Sequence, residues 1–409
     1  MARAIRDLID LTILRDTFFD PFAPISTFTP TLEVEQVVGE ARNFLFLDDN
    51  ESLFLNDGIV RDFVSGRGDS DVLIANTGII GESDRNDTSI FVTGTGDRAI
   101  LNEGVILGGI QLGSGDDLVF NTNLIDGDVR TGNGDDILFN TGVIDGDVWT
   151  GAGDDLVENS GFQSAAITGH LNTGAGDDVV ENTGDIDRVS LGTGDDLYLG
   201  FNSDSNVSVI SAGTGNDTVR AHASDDVIFG GNGRDLIQGI DGDDSLFGGN
   251  GADLLQGGNG EDLLVGGQGS DTLTGGNGAD DLRGGNGNDR LIGGRENDVL
   301  TGGSGADTFF FSRNSGDDTI TDFSDGDVIS INNTFRGNNE TGRFDIPFFT
   351  YEAIEEFTTY EDGNAFIDLV GAASAATFDV NFSHGADHSI LLLDIEPDSL
   401  TANDFDLGY

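Results

Sequence analysis

An aspartate recurs every nine residues through a glycine-rich segment of the chain, residues 230–310. The segment consists of nine unbroken units, GGNGRDLIQ, GIDGDDSLF, GGNGADLLQ, GGNGEDLLV, GGQGSDTLT, GGNGADDLR, GGNGNDRLI, GGRENDVLT and GGSGADTFF. Position six of every unit is aspartate: Asp235, Asp244, Asp253, Asp262, Asp271, Asp280, Asp289, Asp298 and Asp307. Carboxylates and the carbonyl oxygens of glycine turns are hard ligands, which calcium prefers. The spacing therefore predicts a repeated calcium site.

The other positions of each unit predict the elements that would hold such a site. Glycines at positions one, two and four permit positive φ and leave no side chain in the way. The residues after the aspartate form a short strand whose middle side chain points inward, because strand side chains alternate. That position, the eighth, is apolar throughout: Ile237, Leu246, Leu255, Leu264, Leu273, Leu282, Leu291, Leu300 and Phe309. Two units make one coil of 18 residues, so the aspartates stack along two edges.

These units resemble the G-G-x-G-x-D-x-U-x repeat of RTX proteins, the hemolysin-type calcium-binding family. The resemblance implies a parallel β-roll, calcium-dependent folding and export by a type I secretion system. Two units depart from the pattern, because Ile240 replaces a second-position glycine and Glu296 a fourth-position glycine. A branched residue in a glycine turn predicts a weaker site at 239–244.

Residues 34–229 carry a looser version of the same repeat, as in TGNGDDILF at 131–139. The position-six aspartates of this region are further candidate calcium ligands: Asp117, Asp136, Asp155, Asp178, Asp196, Asp217 and Asp226. Half-coils such as NTNLIDGDVR and NTGVIDGDVW lie between the first units and lack the full glycine turn. We therefore expect one calcium-competent edge and one plain edge here. The segments 65–73 and 93–101 read as degenerate coils with weaker sites.

The two ends of the chain differ from the repeats. Residues 1–33 combine a short amphipathic pattern with a Phe- and Pro-rich stretch, which predicts an end cap or a docking segment. In 311–409, Asp318 and Asp327 are nine apart and are candidate ligands in the last irregular coils. Strand patterns follow at 364–370, 377–382 and 390–395. With the many phenylalanines they predict a β-rich cap, and the resemblance implies a secretion signal there. The predicted domains are 1–33, 34–229, 230–310 and 311–409.

Composition indicates a fold that needs cations. The formal net charge is -57, with 75 acidic residues against 18 basic ones, all of them arginine. Such a chain repels nucleic acid and anionic membrane surfaces, and its charge opposes compaction. We expect the metal-free chain to be largely unfolded, because metal binding is coupled to folding. The chain has no cysteine. It also shows no apolar run that would span a membrane, and its start lacks the apolar core of a secretory signal peptide.

Other candidate chemistry has a simpler interpretation. His384 and His388 are four apart, but Gly385 stands where a metallopeptidase needs its glutamate, so we predict a surface loop. Adjacent acids such as Asp116 and Asp117 recur at every coil, which favours calcium ligation or solvation over an acid/base pair. Arg130 near Trp149, one coil apart, is the only hint of a solenoid enzyme that acts on uronate polymers. The scarcity of tryptophan and tyrosine in the repeats, with only Trp149 and Tyr198, argues against a sugar-stacking platform. We predict no catalytic residue and no cofactor-binding residue other than the metal ligands.

We interpret the chain as an all-β protein, a right-handed parallel β-roll or β-solenoid with an N-terminal extension and a β-rich C-terminal cap. It would be a secreted structural protein, loaded with multiple Ca²⁺ ions, that folds on binding calcium and self-assembles like an S-layer or a filament. The predicted location is the cell surface or extracellular matrix of a Gram-negative bacterium. Its partners would be calcium, copies of itself and the type I secretion machinery. The alternatives are an adhesin or polysaccharide-binding module, and a solenoid enzyme that modifies polysaccharides.

Overall fold

The computed structural model describes residues 34–37, 41–47, 53–69, 71–81, 88–161, 165–201, 207–312, 315–331, 358–361, 364–368, 389–393, 400 and 402–406. They belong to two compact units. Unit 1 has the described residues of Met1–Ala152 and Ser164–Thr168, and unit 2 those of Gly153–Gln163 and Gly169–Tyr409. The segment 1–33, the predicted strand at 377–382, and His384 and His388 lie outside the described residues. The four-part domain division stays a prediction.

Unit 1 is a stack of parallel strands in two series. The first series contains Val34–Val37, Leu53–Asn56, Val72–Asn76, Arg98–Asn102, Leu118–Asn121 and Ile137–Asn140. The second contains Ala41–Leu47, Ile59–Arg67, Ile79–Gly81, Thr88–Thr93, Val105–Leu107, Gly109–Gln111, Leu124–Ile125, Val129–Asn133, Val143–Ile144 and Val148–Ala152. Strand Ala166–Ala175 starts within unit 1. The apolar clusters at the start of this unit thus form strands, as β-branched and aromatic runs favour.

Unit 2 repeats the arrangement with longer and more regular strands. One series contains Leu156–Asn159, Val179–Asn182, Leu197–Gly200, Thr218–Arg220, Leu236–Asp241, Leu254–Asn259, Thr272–Asn277, Arg290–Arg295, Thr308–Phe311, Val328–Ile331 and Phe405–Asp406. The other contains Asp185–Thr193, Val207–Thr214, Val227–Asn232, Ser245–Asn250, Leu263–Gln268, Asp281–Asn286, Val299–Ser304, Asp317–Ile320 and Ser389–Leu392.

Strand register confirms the predicted all-β parallel solenoid. In the regular part of unit 2, Leu236 pairs with Leu254 and Leu254 with Thr272, so one coil is two nonapeptides. Coil lengths in unit 1 vary, because structurally equivalent asparagines are separated by 20, 26 and 19 residues. The repeat is therefore regular only where the sequence period is fixed.

The core of the regular coils is a row of aliphatic side chains from position eight. All nine predicted members, from Ile237 to Phe309, are 0% exposed. They alternate with half-buried neighbours along each strand, as in Leu254–Asn259, because successive strand side chains point to opposite faces. Only one apolar side chain per nonapeptide reaches this row, so apolar burial per coil is modest and the turns must contribute to cohesion.

The C-terminal end of unit 2 changes from parallel to antiparallel pairing. Ser389–Leu392 runs parallel to Asp317–Ile320 but antiparallel to Asn364–Asp368. Asn364–Asp368 in turn pairs antiparallel with Thr358–Glu361. A short 3-10 helix, Ala402–Asp404, precedes the last strand. The strands predicted at 364–370 and 390–395 are thus present in part, and no helix among the described residues is long and apolar enough to cross a membrane.

Candidate metal centres

The eighteen aspartates predicted as calcium ligands are all buried, with 3% exposure at most, and they lie in two rows. The first aspartate row comprises Asp117 and Asp136 in unit 1, and Asp155, Asp178, Asp196, Asp217, Asp235, Asp253, Asp271, Asp289, Asp307 and Asp327 in unit 2. The second aspartate row, in unit 2, comprises Asp226, Asp244, Asp262, Asp280, Asp298 and Asp318. The structure therefore places the predicted residues at equivalent turns of successive coils.

In most of these turns, one carboxylate oxygen of the aspartate joins neighbouring coils. The backbone N–H of Asp235 donates to Oδ1 of Asp253 at 2.9 Å, and the N–H of Asp253 donates to Oδ1 of Asp271 at 2.8 Å. The same bond connects Asp307 to Asp327 at 2.8 Å and Asp298 to Asp318 at 3.0 Å. The last two predicted ligands thus continue the rows beyond the nine regular units.

The other carboxylate oxygen is buried and lacks a hydrogen-bond partner in most turns. Within the described residues this holds for Oδ2 of Asp117, Asp178, Asp196, Asp217, Asp235, Asp244, Asp253, Asp262, Asp271, Asp280, Asp289, Asp298 and Asp318. A buried polar atom without a partner costs about 1–3 kcal/mol, and more when it is charged. A partner for this oxygen is therefore expected at each of these turns.

The glycines of the turn leave an oxygen-lined space beside that atom. A Cβ atom on Gly230 would lie 2.5 Å from Oδ2 of Asp235 and 2.7 Å from the carbonyl oxygen of Gly248, one coil later. Position two needs a positive φ, as Gly231 shows with 112°. Carboxylate and carbonyl oxygens therefore converge where any other residue would place carbon.

Burial raises the pKa of most of these carboxyls above their ordinary value of 3.8, although the backbone N–H donor opposes the rise. The pKa reaches about 6 for Asp178, Asp226, Asp271 and Asp289. It reaches about 7 for Asp117, Asp136, Asp196, Asp235, Asp280 and Asp318. It reaches about 8 for Asp244 and Asp298. Without a cation these carboxylates therefore take up a proton at a higher pH than exposed aspartates do.

The donor set suits calcium rather than a metal that needs several side chains. Among the described residues, no three His, Cys, Asp or Glu side chains converge as a metal site. A cation in these turns would therefore take most ligands from backbone carbonyls and one or two from Asp Oδ2. Calcium accepts such mixed, all-oxygen coordination, so the residues fit the predicted ion.

Two turns reach the same backbone conformation without glycine. Ile240 has φ 96° and Glu296 has φ 76°. Left-handed backbone costs a non-glycine residue about 1–2 kcal/mol. The sequence departures thus lie at the positions where glycine is needed, and the weaker site at 239–244 stays a prediction.

Adjacent acids in one turn have separate roles. Asp117 is buried, whereas Asp116 faces outward and its Oδ1 accepts the N–H of Asp135 at 3.1 Å. The N–H of Glu261 likewise donates to Oδ1 of the exposed Asp243 at 2.8 Å. The position-five acid therefore satisfies a backbone donor on the outside of the turn, and the pair does not form an acid/base dyad.

An asparagine ladder on the second edge of unit 1 was missed by the sequence reasoning. Nδ2 of Asn76 donates to Oδ1 of Asn102 at 2.9 Å, and Nδ2 of Asn102 donates to Oδ1 of Asn121 at 2.8 Å. The second hydrogen on Nδ2 of Asn102 goes to the carbonyl oxygen of Leu124 at 3.0 Å. The ladder members in unit 1 are Asn56, Asn76, Asn102, Asn121 and Asn140, all buried. This is the edge predicted to be plain.

Arg130 and Trp149, the pair that hinted at an enzyme, do meet at the surface. The Arg130 guanidinium lies 4.1 Å from the centre of the Trp149 ring and pairs with Asp128 at 2.9 Å. Tyr198, the other ring considered for a sugar platform, is fully buried. Its hydroxyl accepts a hydrogen bond from Nδ2 of Asn182 at 3.1 Å. Tyr198 therefore belongs to the core of unit 2 and offers no face to a ligand.

Comparison with known proteins identifies the repeat. Residues 207–237, 238–273 and 274–309 match the model of the RTX calcium-binding nonapeptide repeat. Among solved structures, the chain is similar to a hyperactive, Ca²⁺-dependent, β-helical antifreeze protein from an Antarctic bacterium, with 20% identity, 74% of this chain and 87% of that chain covered, and a TM-score of 0.40. The chain is also similar to the extracellular lipase LipA from Serratia marcescens, with 18% identity, 52% of this chain and 45% of that chain covered, and a TM-score of 0.23. No curated protein sequence matches the chain.

Proposed function

Residues 207–309 carry RTX calcium-binding nonapeptide repeats that bind multiple Ca²⁺ ions, and on that premise we propose that the chain is an extracellular structural protein that folds when calcium fills its turns. The observation that carries the proposal is the pair of aspartate rows. Each row buries one carboxylate per coil, with Oδ2 facing the carbonyl oxygens of the turn. Buried carboxylates of this kind destabilise the fold when no calcium is bound, and they hold neighbouring coils together when calcium binds.

Both aspartate rows would hold the ions, with the position-six residues from Asp117 to Asp327 as side-chain ligands. Every coil of the regular region presents a position-six carboxylate at an equivalent turn, although Ile240 and Glu296 alter two of the turns. A site repeated in this way suits cumulative stabilisation of neighbouring coils. We therefore assign these residues a structural role and assign none of them to catalysis.

We also propose export by a type I secretion system and self-assembly at the cell surface or in extracellular matrix. The support for assembly is charge. The exposed position-five acids, such as Asp243 and Glu261, line the outside of the turns. Divalent ions bridge acidic faces that otherwise repel each other. Calcium would thus first fold each chain and then hold neighbouring chains together.

Calcium counting tests the proposed sites. The chain, stripped with EGTA and refolded in excess calcium, should bind several ions per chain, measured by native mass spectrometry or equilibrium dialysis. Asp253→Asn should bind at least one ion fewer, because the amide removes the anionic Oδ2. Asp243→Asn, which changes an exposed acid of the same region, is the matched control and should bind as many ions as the wild type. Equal counts in all three proteins would refute the assignment.

Electron microscopy tests the assembly. The secreted protein should form ordered arrays or filaments in calcium, and these should vanish on chelation. Single particles in both conditions would contradict self-assembly while leaving the calcium sites intact.

A further inference from the structure

One turn of unit 1 follows the glycine pattern but carries the opposite charge at position six. The sequence TGTGDRAIL at 93–101 places Arg98 where TGNGDDILF at 131–139 places Asp136. The structure confirms the alignment, because the N–H of Arg98 donates to Oδ1 of Asp117 at 2.8 Å, as an aspartate of the row would. Arg98 thus occupies the position-six site of the coil that directly precedes Asp117, the first residue of the first aspartate row.

The Arg98 side chain is folded into its own turn. It is 2% exposed, whereas the other arginines whose burial is described are half-buried or exposed. A buried guanidinium is costly unless hydrogen bonds and an opposite charge compensate for the loss of water. An arginine at this position therefore needs a dedicated set of acceptors.

Turn carbonyls supply those acceptors. Nη1 donates to the carbonyl oxygens of Gly96 and, at 2.8 Å, Ser114, with a longer contact of 3.3 Å to Gly94. Nη2 donates to the carbonyl oxygen of Gly68 at 3.1 Å. Nη1 also lies 3.9 Å from Oδ1 of Asp117. The guanidinium therefore gathers carbonyl oxygens from the turns of neighbouring coils together with one carboxylate, the same donor types that the aspartate turns offer to calcium.

We propose that the guanidinium of Arg98 is a built-in cation that replaces calcium in the turn 93–98 and ends the first aspartate row. The inference rests on the calcium sites proposed above. In the described part of unit 1, the buried polar residues before Arg98 are asparagines and a serine, with no aspartate among them. Coils on that side of Arg98 hold together without metal, and calcium sites begin at Asp117.

Charge reversal at this position tests the proposal. Arg98→Asp restores the sequence TGTGDD and should bind one Ca²⁺ more per chain than the wild type, counted by native mass spectrometry in excess calcium. Arg61→Asp makes the same charge change at an exposed site of unit 1 and should leave the count unchanged. Equal counts for Arg98→Asp and the wild type would overturn the proposal.

A neutral variant keeps the test decisive if the charge reversal disturbs folding. Arg98→Met should gain no ion, and amide exchange in 98–121 should become at least about tenfold faster, since several hydrogen bonds to a charged group are lost. Exchange in 236–309 should not change, and Arg61→Met should match the wild type. Wild-type protection of 98–121 in Arg98→Met would overturn the proposal. A wild-type chain that binds no calcium would instead refute the proposed function, while the exchange result would still report on Arg98.

Discussion

The asparagine ladder of unit 1 and the aspartate rows of unit 2 both stack one buried side chain per coil, but they differ in what completes them. An amide carries donors and an acceptor, so Asn102 satisfies its neighbours and itself through Asn121 and Leu124. A carboxylate only accepts. Asp253 receives the N–H of Asp235 on Oδ1, and its Oδ2 is left with no donor. The asparagine ladder satisfies its hydrogen-bonding groups within the chain, whereas the aspartate rows need a cation.

This difference makes calcium dependence a property of individual edges rather than of the whole chain. Stability in stacked repeats is approximately a sum of local terms. Coils with the asparagine ladder should therefore tolerate loss of calcium better than coils with an aspartate on both edges. Calcium removal, substitution in the ladder, pH and strain in one aspartate turn should all act differently on the two kinds of coil.

Removal of calcium should separate the two regions most strongly. With EGTA at neutral pH, amide protection in 236–309 should fall by about a hundredfold or more, as expected when a saturating ligand is withdrawn. Protection in 72–107 should fall by less than about tenfold. Hydrogen exchange with mass spectrometry measures both regions in one sample. An equal loss in the two regions would contradict the contrast.

A buried acid placed in the asparagine ladder should be harmful and should not be rescued by calcium. Asn102→Asp loses the Nδ2 donors and sets a carboxylate against the oxygens of Asn121 and Leu124. Breaking buried polar pairing in this way costs about 3 kcal/mol, measured as a lower urea midpoint for unit 1.

The control for this variant is Asn123→Asp, at an exposed asparagine nearby. It should change the urea midpoint by less than about 0.5 kcal/mol equivalent. Recovery of wild-type stability by Asn102→Asp on addition of calcium would show that this edge, too, can form calcium turns.

Acid should partly replace calcium in the aspartate rows. Folding raises the pKa of Asp235 to about 7 and of Asp244 to about 8. The folded state thus keeps protons that the unfolded state releases above about pH 4. The metal-free fold is therefore most stable below about pH 4, and this stability is lost as the pH rises through the folded-state pKa values of about 7 and 8. Circular dichroism in EGTA should show more β-structure at pH 5 than at pH 8.

The calcium-loaded protein should show the opposite dependence. Protons compete with calcium for the same carboxylates, so calcium affinity should weaken as pH falls from 8 to 5.

High salt is the control for the experiment in EGTA. It screens the exposed charges but not the buried ones, so the greater β-structure at pH 5 should persist in high salt. Disappearance of the trend in high salt would assign it to surface repulsion instead.

The smallest effect is expected from relief of backbone strain within one aspartate turn. Ile240→Gly removes a left-handed isoleucine and adds the entropic cost of a glycine, which leaves a gain of about 0.5 kcal/mol. Ile240→Ala keeps the strain and is the control. Thermal unfolding in saturating calcium compares the two, and equal melting temperatures would show that the turn tolerates Ile240 without cost.

The sequence predicts the regular region well because its period is fixed. A constant spacing determines which positions stack, so the inward row from Ile237 to Phe309 and the aspartates from Asp235 to Asp307 follow directly. The repeat position also predicts that Asp117 is buried and the adjacent Asp116 exposed, although both are aspartates. The continuation to Asp318 and Asp327 could be predicted because the two residues keep the spacing of nine.

The asparagine ladder and the role of Arg98 could not be predicted in the same way. Coil length in unit 1 varies, so the stacking of Asn76 on Asn102 does not follow from spacing. The recurring Asn-x-Gly tripeptides, as at Asn76, Asn102 and Asn140, are the pattern that could have revealed the ladder. Arg98 breaks the consensus, and only its acceptors in three dimensions explain why a cation stands there.

The strand Ser389–Leu392 limits how copies of this chain could join. Its two neighbours run in opposite directions, so the register that passes from coil to coil stops at this strand. A second molecule would find no parallel strand to extend in this series, because Asn364–Asp368 pairs antiparallel with Ser389–Leu392. The other strand series of unit 2 ends in parallel pairing, with Phe405–Asp406 beside Val328–Ile331, so in-register stacking of a second molecule would be interrupted at one series only. This interruption favours contacts through the sides of the coils, where exposed acids such as Asp243 and Glu261 lie.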